Sequence, residues 1–339
     1  MLEVVELRDF PKPKVVVSRC IEFDSCRYNG QKISSDFVAS LATYVDFLPV
    51  CPEVEIGLGV PRGSLRLVSA SSATGGETRL RLVQPVTGRD VTGEMQSFAA
   101  TFLDSLGEAD GFILKASSPS CGIKNTKTYP NAGKSAALSR RSAGIFGAAV
   151  LARHPDLAVE DEGRLRNPRV KEHFLTKLFT LARFREVERS GSMGDLVGFQ
   201  TENKMLLMAY NQTEERALGN IAANHDHRPF DDVAREYEAH LRRAICRAPR
   251  YTSNINVLMH ILGYFSDRLS AAEKAMFLEN IQRYRDGKIT ICPNTTLLKS
   301  WIARFEDDYL ARQTFFEPYP QDLMEVDPAV SHKGRDLWK

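Results

Sequence analysis

The chain has 339 residues, 43% hydrophobic and 26% charged, and its 45 Lys and Arg against 43 Asp and Glu leave a formal net charge of +2. That length accommodates about two domains of roughly 150 residues, each with its own apolar core, and the composition excludes both a disulfide-stapled miniprotein and a disordered chain. The near-neutral total nominates neither nucleic acid nor membrane as a partner.

In chain order, short apolar runs predict strands at Val15 to Val17, Phe47 to Val50, Leu80 to Val83 and Gly111 to Leu114, with helical spacing at Ser35 to Tyr44 and Val91 to Leu106. This alternation predicts an α/β domain, Rossmann-like with a mainly parallel sheet, over residues 1–162. The pattern changes across Glu160 to Asn167. Beyond it, amphipathic spacing predicts helices at Val170 to Val187 and Gly198 to Leu218. Ser270 and Glu273 form a capping box for a helix ending near Gly287, Thr295 to Tyr309 is the last strong helix, and the tail after Phe316 reads as a surface strap. Residues 163–339 are therefore expected to be an all-α domain. The longest apolar stretch, Ala143 to Ala152, is too short to span a bilayer. The first residues, with Glu3, Glu6, Arg8 and Asp9, lack a signal-peptide pattern. No membrane is expected as a partner, and the expected location is the cytoplasm.

Three of the six cysteines occupy related positions: Cys20 follows the first strand, Cys51 the second, and Cys121 the turn after the fourth. Ligands of open α/β sheets collect at the carboxyl ends of strands. Three thiolates suit a soft metal centre, whether zinc, copper(I) or an iron–sulfur cluster with one open iron. The paired C-x-x-C knuckles of closed zinc sites are missing, and buried cysteines also serve as small hydrophobes. Glu53 and Glu55 follow Cys51, and Ser117, Ser118 and Ser120 surround Cys121, so a base and a hydroxyl would flank a Lewis acid there. Cys26, six residues from Cys20, is an alternative ligand or a sulfur relay. Cys246 and Cys292 fall in the helical half. His225-Asp226-His227 reads as a surface turn, and Gly30, Gly57, Gly59 and Gly63 form no Walker or dinucleotide fingerprint, so no nucleotide cofactor is expected.

Val17-Ser18-Arg19-Cys20, Cys26-Arg27-Tyr28-Asn29-Gly30, Pro49-Val50-Cys51-Pro52-Glu53, and Leu114-Lys115 with Ser118-Pro119-Ser120-Cys121-Gly122 occur in the order of a known family. Together they resemble the TudS-type thiouracil desulfidase domain. Stand-alone members read Ser-Ala-Cys-Leu-Leu-Gly where this chain reads Ser18-Arg19-Cys20-Ile21-Glu22-Phe23, and Asn29 replaces their Asp. Leu196-Val197-Gly198-Phe199 and Lys204 to Tyr210 resemble the YbgA-type helical domain. The fusion is similar to bacterial enzymes that remove sulfur from 4-thiouridine in tRNA. The resemblance implies a 4Fe-4S cluster on Cys20, Cys51 and Cys121, its open iron taking the substrate sulfur. It also implies Glu53 and Ser118 as catalytic carboxylate and hydroxyl. The chemistry so implied is hydrolysis without net redox, with water as co-substrate, tRNA carrying 4-thiouridine as partner and a helical domain that binds tRNA. Two alternatives stay open: a desulfidase of free thiouracil or thionucleosides, and a zinc-stabilised RNA-binding protein without catalysis.

Charge placement bears on the tRNA expectation. From Phe112 to Arg153 there is no Asp or Glu, while Lys115, Lys124, Lys127, Lys134, Arg140, Arg141 and Arg153 are all cationic. Of these, Lys115, Lys124, Lys127, Arg140 and Arg141 are the candidate RNA contacts, with Tyr129 as a stacking platform. Lys115 is also a candidate for stabilising developing negative charge. The helical half adds Arg164, Arg166, Arg169 and Lys171, then Arg235, Arg242, Arg243, Arg247 and Arg250 as further contacts.

Overall fold

Residues 8–70 and 79–324 are described by the computed structural model. The chain divides into two units, one ending at Ala182 and rejoined at Asp322, the other Arg183–Gln321. The expected boundary at Glu160 to Asn167 coincides with a 3-10 turn, Arg164–Arg166, just before the helix in which the division falls.

The first unit runs β1 (Lys14–Ser18), α1 (Asp36–Leu41), β2 (Asp46–Val50), α2 (Pro52–Glu55), β3 (Arg66–Ala70), β4 (Arg79–Val83), α3 (Thr92–Ser105), β5 (Gly111–Leu114), β6 (Thr126–Tyr129), β7 (Ser139–Ser142), α4 (Ile145–Arg153) and β8 (Ala158–Asp161). Helix α5 (Pro168–Ser190) follows. Among the described residues two four-stranded sheets form, in the orders β2-β1-β5-β8 and β4-β3-β6-β7. All pairs of the first are parallel. Its central strands are apolar without alternation: Val15 to Val17 and Phe112 to Leu114 are at most 1% exposed, as strands covered on both faces must be. Pro49 sits in β2, an edge strand, where a missing N–H is tolerated. The second sheet is mixed, pairing β3 with β4 and β6 with β7 antiparallel and β3 with β6 parallel. The expected strand Leu80 to Val83 belongs to this second sheet.

The helical unit takes the last residues of α5, then α6 (Met193–Tyr210), α7 (Gln212–Ala223), α8 (Phe230–Ala244), α9 (Tyr251–Phe265), α10 (Ala271–Arg285), α11 (Cys292–Phe305) and α12 (Asp308–Ala311). The single helix expected over Gly198 to Leu218 is two, because Asn211 leaves helical geometry and its side chain accepts from the Thr213 and Glu214 N–H groups, an N-cap that restarts the chain. The capping box of Ser270 and Glu273 forms as expected. Thr295 to Tyr309 is likewise interrupted, at Glu306 in left-handed geometry. The core packs Met205, Leu258, Phe265, Phe277 and Trp301. In the described part of the expected strap Tyr319 and Leu323 are buried, so that part is anchored and not merely laid on the surface, and residues 325–339 lie outside the described residues.

Candidate active site

Strands β2, β1 and β5 are neighbours, and each delivers one cysteine just past its carboxyl end. Cys51 caps α2, Cys20 lies two residues beyond β1, and Cys121 lies in the turn after β5. All three, and Cys26, are buried, whereas Cys246 and Cys292 are exposed. The thiols act on one another electrostatically. Burial first, then Cys26 and Cys51, push Cys20 up to about 12. Burial pushes Cys51 up to about 11, with Cys26 and Glu53 adding to it. Burial, Glu53, Cys20 and Cys51 hold Cys121 well above its usual value. Cys26 thus belongs to the same crowd, and its carbonyl accepts from the Arg62 guanidinium at 3.0 Å.

The Cys121 turn is fixed by close backbone approach. A Cβ on Gly147 would lie 2.4 Å from the Gly122 carbonyl oxygen, and one on Gly144 2.5 Å from that of Ser120. The freed space lets the first amides of α4 reach the turn: Ile145 N donates to Pro119 O at 3.1 Å and Gly147 N to Ser120 O at 3.0 Å. Ser18, buried at the end of β1, accepts from the Lys115 amide at 2.9 Å and hydrogen-bonds Cys121.

The two serines of the turn have different partners. The Ser118 hydroxyl oxygen accepts from the amides of Ser120 and Cys121, at 3.2 and 3.1 Å. This fixes the oxygen and leaves its own proton to donate, on a half-buried side chain. Ser120, fully buried, donates to Glu53 Oε1 at 2.8 Å. The other Glu53 oxygen takes Arg62 Nε at 2.7 Å, in an ion pair whose side chains are 4% and 13% exposed. Glu53, Ser118 and the three cysteines are thereby assembled at one end of the sheet. Arg62 was missed in the sequence because it sits in an irregular turn with no periodic signal. Ser120 was seen only as a neighbour of Cys121.

Lys115 is not available as a free cation at this site. Its ammonium pairs with Glu162 and donates to Ala116 O at 2.9 Å, while the second Glu162 oxygen accepts from the Ala116 amide at 2.6 Å. Lys124, Lys127, Arg140 and Arg141 are exposed, the last three on β6 and β7. Tyr129 is covered on one face by the Arg66 guanidinium, 4.5 Å from the ring centroid. Arg153 pairs with Asp104 at 3.1 Å.

Among the described residues no three His, Cys, Asp or Glu side chains gather closely enough to hold one metal ion. The donor set does fit an iron–sulfur cluster, in which each cysteine ligates its own iron and the sulfurs stand apart. Thiols held protonated first by burial and then by one another are released from that penalty by a bound cation, which stabilises thiolates outright. Among the described residues no helix is long and apolar enough to cross a membrane.

Residues 15–162 match the family model described as 2-thiouracil desulfurase, and residues 204–320 match that of a protein of unknown function, DUF1722. The chain is 26% identical over 155 residues to the uncharacterized protein YbgA of Escherichia coli (strain K12), an alignment spanning 45% of this chain and 92% of YbgA. It is 31% identical over 110 residues to the uncharacterized protein YbbK of Bacillus subtilis (strain 168), spanning 32% of this chain and 72% of YbbK. A solved structure, that of a 4Fe-4S-dependent thiouracil desulfidase, TudS, is 29% identical, with a TM-score of 0.35 over 46% of this chain and 94% of that one.

Proposed function

The chain belongs, through residues 15–162, to the 2-thiouracil desulfurase family and carries a DUF1722 region at 204–320, and from that premise we propose that it is an iron–sulfur desulfidase converting 4-thiouridine in tRNA to uridine. The observation that carries the reading is the half-buried carboxylate of Glu53, clamped by Ser120 and Arg62 beside three thiols at adjacent strand ends. Cys20, Cys51 and Cys121 would hold a 4Fe-4S cluster. When bound, the cluster supplies a soft Lewis acid suited to a thiocarbonyl sulfur.

The chain's own residues account for the rest. Glu53 takes a proton from water as the oxygen adds to the pyrimidine carbon bearing sulfur. Ser120 and Arg62 engage both of its carboxylate oxygens, so its orientation is set before substrate arrives. Ser118, its oxygen fixed by two amides, presents its O–H toward the developing charge or the leaving sulfur. The balance is thiocarbonyl plus water giving carbonyl plus hydrogen sulfide, with no net electron transfer. Support for tRNA over a free base comes from the exposed cations of β6 and β7 in a stretch devoid of acids, which offers a phosphate backbone a favourable field. A base stacked in the tRNA must be opened for attack, at a cost of about a few kcal/mol.

The test is an anaerobic reaction of the purified chain with natively thiolated tRNA and, in parallel, with free 4-thiouracil, following sulfide and the nucleosides after digestion. Conversion of 4-thiouridine to uridine in tRNA is the expected outcome. Turnover of the free base alone removes tRNA from the account, and turnover of neither removes the desulfidase assignment.

A further inference from the structure

The helical unit contains a cleft of about 430 Å³ between α6, α7, α9 and α12, within the range of small-molecule sites. Gln200 and Lys204 line it from one face of α6, part of the segment whose sequence resembles the YbgA-type domain. Glu215 and Gly219 line it from α7, and Tyr264 and Tyr309 stack at its end with ring centroids 5.8 Å apart and planes 22° from parallel.

The polar groups here are arranged unlike those of a finished core. Glu215 is only 6% exposed, yet among the described residues no hydrogen bond reaches its carboxylate, and the charges acting on it are Lys204 and Arg216. Burial raises its pKa. Its oxygens are not sealed from solvent in the cleft, and a ligand bringing N–H groups supplies the donors they lack. Gln200 has its carbonyl oxygen engaged by the Tyr237 hydroxyl at 2.6 Å, so its amide nitrogen is left to donate. That nitrogen is the nearest atom, at 3.7 Å, to the position of a Cβ on Gly219. The cleft therefore offers an acceptor with two oxygens, two donors and an aromatic face.

We propose that this cleft binds a guanine base, Glu215 accepting from N1–H and the exocyclic N2–H, Gln200 and Lys204 donating toward O6, and the tyrosine pair stacking on the ring. Guanine is the nucleobase that sets two adjacent donors beside an acceptor. Adenine and cytosine place a bare ring nitrogen next to their amine, which would face the second carboxylate oxygen. Uracil has one N–H between two carbonyls. The base arrives either as a free guanine nucleotide or as an unstacked guanosine of RNA, and the same chemistry recognises both. The site does not depend on the desulfidase reading, and its test reads binding instead of turnover.

Equilibrium titration of the full chain with GMP, AMP, CMP and UMP, and with short single-stranded RNAs carrying one guanosine or one adenosine, tests it. The expected result is saturable binding of GMP, of the guanosine RNA, or of both, at least tenfold tighter than of the adenine counterpart. Binding confined to one arm identifies the source. Gly219→Leu, whose Cβ makes only an ordinary contact with Gln200 Nε2 at 3.7 Å and which favours the helix, should abolish binding with a thermal transition no lower than that of wild type. Glu215→Gln should remove the guanine preference. Equal affinity for all bases, no binding in either arm, or undiminished binding by Gly219→Leu would overturn the proposal.

Discussion

The two units differ in which of their charges are held. In the α/β unit the carboxylates near the thiols are held, Glu53 by Arg62 and Ser120, Glu162 by Lys115 and the Ala116 amide. The cations of β6 and β7, Lys127, Arg140 and Arg141, are exposed and meet no acid among the described residues. In the helical unit three arginines are held, Arg235 by Asp232 at 3.1 Å, Arg242 by Glu238 and Arg228 by Glu236 at 2.6 Å, while Arg247 and Arg250 are exposed and meet no acid among the described residues. There it is a carboxylate, Glu215, that has no hydrogen bond among the described residues. Counting arginines therefore misjudges where a polyanion would bind. Exposed ion pairs add little stability, but they cancel much of the field a phosphate would feel within a Debye length. The acid-free stretch keeps its field on β6 and β7, although two of its cations, Lys115 and Arg153, are neutralised by acids from elsewhere in the chain.

Disrupting the held side of this contrast should have the largest effect. Cys20→Ala, Cys51→Ala or Cys121→Ala would each remove a proposed ligand, and iron content and sulfide release should both fall to background. Glu53→Gln should keep its iron and lose about 10²- to 10⁴-fold in turnover. Ser118→Ala should lose about 10²-fold. Ser120→Ala should lose less, about tenfold in kcat with KM unchanged, because Arg62 still orients Glu53. Equal activity of Ser120→Ala and wild type would show that the clamp is structural only.

Smaller effects should come from the free cations. Replacing Lys127, Arg140 and Arg141 together with alanine should reduce the slope of log affinity against log salt for tRNA by about 2 to 3, whereas Arg235→Ala with Arg242→Ala should leave it nearly unchanged. The reverse pattern would transfer the RNA surface to the helical unit. The smallest effect concerns α5, where burial and Lys177 push His173 down to about 4. Between about pH 6.5 and 4 the unfolded chain binds more protons than the folded one, so stability should decline as pH falls through that window and be retained above it. Denaturant melts of wild type and His173→Gln should differ there and converge above pH 7.

What the sequence revealed follows from how each feature is encoded. Val15 to Val17 and Phe112 to Leu114 are legible because strands buried on both faces need continuous apolar runs, and the cysteines are legible because they stand just past such runs. Strands β6 and β7 were not foreseen: Thr126–Tyr129 and Ser139–Ser142 are polar and short, and form because neighbouring strands supply hydrogen bonds. The division of labour between Ser118 and Ser120 depends on backbone geometry, including a positive φ of 55° at Ser117, which no spacing rule conveys. The pairing of Lys115 with Glu162 joins residues 47 apart, beyond the reach of a local charge pattern. Asn211 was legible as a cap in principle, but apolar spacing on both sides concealed the break.

The central claim is that three strand-end thiols carry an iron–sulfur cluster, and metal analysis of the anaerobically purified chain tests it most directly. The expected result is about four irons and about four acid-labile sulfides per chain, lost in each of the three cysteine variants and retained in Glu53→Gln. Stoichiometric zinc without iron in the wild-type chain, or iron undiminished in the cysteine variants, would contradict it.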